Sequence, residues 1–171
     1  MADARRQARA LTVIAPVSRG RESQLRSVLE RLPRDQASPL ARLPGTHFAR
    51  FVIVPGSGDS ERLLFSASHD SLPGSYLEEI RMRMPGEADA IWGHCDGYPG
   101  AGESASFVRY MERHRIRTGL LVAAYADATL REVREALDLR RRLIDFAPRA
   151  QEMSADELQA AFRREGLGGA G

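Results

Sequence analysis

The chain has 171 residues, 43% of them hydrophobic and 28% charged, with 25 basic and 23 acidic residues for a net charge of +2. All the basic residues counted are arginines, which excludes a Schiff-base lysine, a phosphate-loop lysine and a lysine general base, and the single Cys95 excludes an internal disulfide and a multi-cysteine zinc site. No apolar run approaches the roughly 20 residues of a membrane span. The pI of 9.1 rests on a small surplus of arginines interleaved with acids, as at Glu132, Arg134, Glu135, Asp138 and Arg140, so neither a membrane nor a nucleic-acid partner is expected.

Residues 1–9 carry Arg5, Arg6 and Arg9 but no apolar stretch of signal-peptide type, and are read as a flexible N-terminus. With one unpaired cysteine, a cytoplasmic protein is expected. Ala10–Val17 is an apolar, β-branched run and reads as a strand buried on both faces. The period then changes: Leu25, Val28, Leu29 and Leu32 mark one face of a helix that Pro33 stops. His47–Val54 and Glu61–Ser68 read as two strands joined by the turn-rich Pro55–Ser60, an antiparallel hairpin. Pro73–Met84 reads as a helix with Pro73 in its first turn, Glu87–Gly102 as less regular, and Ser104–His114 as a short helix. Thr118–Tyr125 (TGLLVAAY) reads as a fourth strand. A helix capped by Asp127 or Thr129 follows, with Leu130, Val133, Leu137 and Ile144 as its buried stripe and Pro148 at its close. Ser154 and Glu157 form a capping box for a last short helix, and Gly166 stops it.

The order β-α-β-β-α-(α)-β-α predicts an α+β domain of ferredoxin-like βαββαβ type over residues 10–147. Its four-stranded antiparallel sheet would be ordered 4-1-3-2 with the helices on one face. Residues 148–171 add a C-terminal helix and a Gly-rich tail. The second and fourth strands are largely apolar on both sides, so the sheet face away from the helices needs cover. A homodimer packed sheet against sheet supplies it.

Several side chains bear chemistry. His47 begins the second strand and His69 ends the third, so the hairpin places them at one end of the sheet, where they would hold a ligand or a substrate proton. Asp70 competes for a plainer role as a helix cap. Strand alternation puts His47 and Arg50 on opposite faces, and the planar fork of Arg50 suits a carboxylate. Trp92, His94, Cys95 and Tyr98 gather in one loop, but adjacent His94 and Cys95 need not point together, and Cys95 is better read as a buried thiol than as a nucleophile. Gly100–Ala105 imitates a dinucleotide fingerprint without the strand that must precede one. Hydrolase, zinc-protease and paired-cysteine zinc signatures are missing from the sequence, and no metal site is expected.

Taken together, LPGTHFAR (43–50), LFS (64–66), AIWGHCDGYP (90–99) and AYADAT (124–129) resemble a bacterial family of ferredoxin-like domains found alone or beside oxidative enzymes. The resemblance spans residues 10–140 and implies the fold, but carries no assigned reaction. By topology alone it is also similar to dimeric α/β-barrel proteins, among them cofactor-free monooxygenases and haem enzymes. Two functions stay open. One is a small-molecule binding or accessory module for a hydrophobic or aromatic ligand, walled by Phe48, Phe65, Trp92 and Tyr98 and anchored by His47, Arg50 and His69. The other is a dimeric-barrel oxidoreductase, cofactor-free or haem-dependent, with His69 or His94 as axial ligand or proton shuttle. The choice of cofactor, if any, is left open.

Overall fold

The computed structural model describes residues 8–166 apart from Gln36, Pro73 and Ala126. The expected flexible segment before residue 8, the first-turn role of Pro73 and the tail beyond Gly166 lie outside the described residues. The chain divides into two compact units, residues 1–130 and 131–171.

The first unit is built on three strands, β1 (Arg9–Pro16), β2 (Thr46–Pro55) and β3 (Glu61–His69). Helix α1 (Glu22–Arg31) and a 3-10 turn (Pro39–Arg42) link β1 to β2. After β3 come α2 (Ser75–Arg83), α3 (Pro85–Trp92) and α4 (Ser104–Arg113). The sheet order is β1-β3-β2, with β3 antiparallel to both neighbours. β1 and β2 therefore run parallel, and the expected β2–β3 hairpin is present.

Period-two burial defines the covered face. Leu11, Val13 and Ala15 of β1 and Leu63, Phe65, Ala67 and His69 of β3 are buried. All but His69 form one core with Leu25 of α1, Tyr76, Leu77 and Ile80 of α2, Ile91 and Trp92 of α3, and Phe107 and Met111 of α4. Phe51 reaches the same cluster from β2, and Trp92 meets Phe51, Phe65 and Phe107 edge-on. The other face carries Thr12, Ile14, Leu64, Ser66, Phe48, Arg50 and Val52, and none of these is buried.

The expected fourth strand is not formed, so the order 4-1-3-2 is corrected to a three-stranded sheet in an α+β unit. The reason is register. After α4 the chain meets the outer edge of β1 through one antiparallel bridge, Val13 to Arg115, with Ile14 N–H donating to His114 O (2.9 Å) and Ile116 N–H to Thr12 O (2.8 Å). Continued in that register, Thr118 lies opposite Ala10 and Gly119 opposite Arg9, where β1 begins. The apolar run 120–125 overshoots the strand it needs. It is exposed instead, with Leu120 and Val122 at 82% and 81%. A second difference is α3, which occupies residues read as irregular.

The second unit is a pair of helices. α5 (Leu130–Ala150) starts at the last residue of the first unit, and α6 (Ala155–Arg164) follows. Pro148 lies inside α5 and does not close it. Phe146 packs edge-on to Phe162, Arg149 pairs with Glu165 at 3.1 Å, and the Ser154–Glu157 capping box forms as its spacing predicts. The stripe expected on α5 is not buried: Leu137 and Ile144 are about half exposed, and Phe146 is the buried residue. No helix among the described residues is long and apolar enough to cross a membrane.

Candidate functional site

The end of the sheet where β1 starts and β3 finishes collects the polar groups. Thr46 and Arg9 both lie opposite His69 in register, one on each side of β3. A bulge between Thr46 and Phe48 sets His47 out of the regular ladder, and this re-aims it. Its Nε2 lies 2.5 Å from Asp70 Oδ1, while Asp70 Oδ2 accepts the Leu130 backbone N–H at 2.7 Å. Asp70 is thus occupied by a histidine and an amide, and it does not cap α2, whose N-cap is Gly74. Asp70 N–H donates to Gly45 O at 2.9 Å, and a Cβ on Gly45 would sit 3.3 Å from the Asp70 Cβ, so any larger residue there would press on Asp70.

His69 is the one buried polar or charged side chain among the described residues. Its ring stacks on Tyr76 at 4.0 Å, nearly parallel, and the Tyr76 hydroxyl shares a 2.8 Å hydrogen bond with Thr46 Oγ1. Burial, then the Arg9 guanidinium, lowers the His69 pKa to about 4, against an opposing pull from Asp70. At neutral pH the imidazole is uncharged, and its Nδ1 is buried without a hydrogen-bond partner. Burial raises Tyr76 to about 12, so it stays protonated.

His69 lines a recess of about 70 Å³ with Arg9, Ala10, Leu11, Tyr76, Glu112 and Arg115 among its walls. At roughly 10–15 Å³ of such volume per water, it holds a few waters or the head group of a small acid. A shallower groove of about 380 Å³ shares Ala10, Glu112 and Arg115 and adds Arg117 and Thr118. Arg115 pairs with Glu112 at 3.1 Å, and Arg9 Nη1 donates to Ser71 O at 3.3 Å, so both guanidinium groups on the wall of the recess are held by partners beside a neutral His69.

The other sequence candidates do not converge here. Phe48 is 80% exposed on the open face, and Arg50 is exposed on the same face. Phe65 and Trp92 are buried in the core. The loop after α3 binds the far end of β1: Cys95 bridges Val17, Ser18 N–H donates to His94 O at 2.8 Å, and Asp96 N–H to Pro16 O at 2.9 Å. At about 3.3 Å per residue, β1 separates His94 from the His69 end by more than 20 Å. Tyr98 donates to Asp89 Oδ1 at 2.9 Å and packs on Phe107 and Tyr110. Cys95 is buried, and burial followed by Asp96 pushes its thiol up to about 12, so it is no nucleophile near neutrality. Among the described residues no three His, Cys, Asp or Glu side chains are grouped to hold a metal. A porphyrin does not fit the recess of about 70 Å³ beside His69. Arg9, Tyr76, Glu112 and Arg115 escaped the sequence reading. The only signal was that Arg9 falls on the strand's first residue, opposite the end of the hairpin.

Comparison with protein-family models, curated proteins and solved structures finds no match to this chain.

Proposed function

We propose that the protein is a small-molecule binding or accessory module whose ligand places an anionic group, such as a carboxylate, in the recess beside His69. The observation that carries this reading is the buried Nδ1 of His69, which has no hydrogen-bond partner on a residue that lines the recess with the guanidinium-bearing Arg9 and Arg115. A buried polar atom without a partner costs about 1–3 kcal/mol, and an anion oxygen accepting from an Nδ1–H tautomer recovers that cost. The groove beyond the recess, with Arg117 and Thr118, takes the rest of the ligand. The hydrophobic walls expected from the sequence are no part of this site. The test follows the His69 ring nitrogens by NMR while acetate, benzoate or inorganic phosphate is added. The expected result is a saturable shift for the carboxylates that weakens in Arg115→Gln. A ring signal indifferent to all three ions refutes the reading.

A second reading, a cofactor-free oxidoreductase, is favoured by the His47–Asp70 pair, because a carboxylate that orients an imidazole is how a proton-transfer histidine is held. Oxygen uptake with aromatic substrates that His47→Gln abolishes supports it.

We also infer a homodimer through the open sheet face. Its support is that no residue of that face is buried and that Phe48, Val52, Ile14 and Leu64 form its apolar part. A cytoplasmic placement rests on the single, buried thiol.

A further inference from the structure

The recess beside His69 and the groove of about 380 Å³ share Ala10, Glu112 and Arg115, so a ligand held in one extends into the other. The groove adds Arg117 and Thr118 and is lined by no large apolar side chain. A hydrophobic or aromatic tail finds nothing there to bury against. The charges in the groove are unequal. Arg115 Nη1 donates to both Glu112 carboxylate oxygens, at 3.1 and 3.3 Å, and these two residues neutralise each other. Arg117 is exposed and has no carboxylate partner among the described residues, which leaves it the uncompensated cation of the groove.

Backbone pairing fixes where Arg117 sits. The antiparallel bridge of Val13 to Arg115, with Ile116 N–H donating to Thr12 O at 2.8 Å, sets Arg117 opposite Leu11. Leu11 follows Arg9 by two residues, and Arg9 is level with His69 on β3. Strands lie about 4.8 Å apart, so the segment carrying Arg117 runs about 10 Å from β3, with β1 between them. Less the reach of the two side chains, that separation is the length of a short aliphatic chain. We propose that the ligand of this site is a short aliphatic dicarboxylate, with one carboxylate beside His69 and the second on the Arg117 guanidinium. The proposal rests on the anion reading above and adds to it a second anionic group and the residue that selects it. The planar fork of an arginine takes a carboxylate through two parallel N–H donors, a geometry that a hydroxyl or an amide at the same place does not match.

Calorimetric titration of the full chain, with the His69 ring nitrogens followed by NMR, tests this with succinate, glutarate and adipate, each against its own monoamide. The monoamide keeps the length and loses one charge. One of these diacids should bind roughly tenfold or more tightly than its monoamide, as one charge-assisted hydrogen-bonded pair provides. Arg117→Gln should erase that difference, and Arg117→Lys, which keeps the charge without the fork, should retain part of it. Arg117 lies outside every helix and strand with its side chain exposed, so these variants keep the fold. Acetate that shifts His69 while every diacid binds no better than its monoamide overturns the second anionic group and leaves the anion reading standing. A His69 ring indifferent to acetate and to all the diacids overturns both. A difference that survives Arg117→Gln, or hexanoate that binds more tightly than adipate, overturns the dicarboxylate alone.

Discussion

His69 ends β3 in the core, stacked on Tyr76, where burial and then the Arg9 guanidinium hold its pKa at about 4 against 6.5 for an ordinary histidine. The unfolded chain takes up this proton as the pH falls below 6.5, and the folded chain does so only near 4. Between those values the unfolded state binds more protons, so the stability contributed by a neutral His69 is present at pH 7 and is lost as the pH falls. At about 1.4 kcal/mol per pH unit, the loss is roughly 2 kcal/mol by pH 5 and 3 kcal/mol by pH 4. Urea unfolding followed by fluorescence reads this directly, because Trp92 is the only tryptophan and lies in the core of the first unit. His69→Gln should lower stability at neutral pH through the lost stacking contact. On going from pH 7 to pH 5, however, the wild type should lose about 2 kcal/mol more than the variant. Acidic residues whose pKa is lowered, such as Glu78 and Glu103, also destabilise the fold in acid, but they do so in both proteins and cancel in the difference. Equal losses in the two proteins, or a His69 ring that titrates near 6.5 in the native state, refute the reasoning.

Asp70→Ala strips partners from His47 Nε2 and the Leu130 amide, so it should cost about 1–3 kcal/mol in urea unfolding, with Asn recovering part of the loss. Trp92→Ala removes the ring that joins Phe51, Phe65 and Phe107, for an expected loss of about 3–5 kcal/mol read by circular dichroism. Cys95, 4% exposed with its thiol at about 12, should resist an aromatic disulfide reagent at pH 8 until urea unfolds the first unit, and rapid native labelling would contradict its burial. Binding of acetate should tighten as the pH falls from 7 toward 5, because an anion beside His69 raises its pKa and binding takes up a proton, as titrations at several pH values would show.

Local pattern alone determined much of this protein. The alternation in β1 and β3, the 3.6-residue stripe of α1, the turn residues between β2 and β3 and the Ser154–Glu157 capping box are all legible because each is a contest among near neighbours in the chain. The hairpin pattern likewise places His47 and His69 at one end of the sheet. What pattern could not determine is whether an element finds its partner. TGLLVAAY has the composition of a strand, but a strand exists only where another offers its backbone, and β1 is too short at Arg9 to do so. The same holds for the site. Arg9, Tyr76 and Arg115 come from three distant parts of the chain and meet His69 only when the sheet and α4 are assembled. Propensity is a property of neighbouring residues; pairing, burial and the pKa of His69 belong to groups that only tertiary packing brings together.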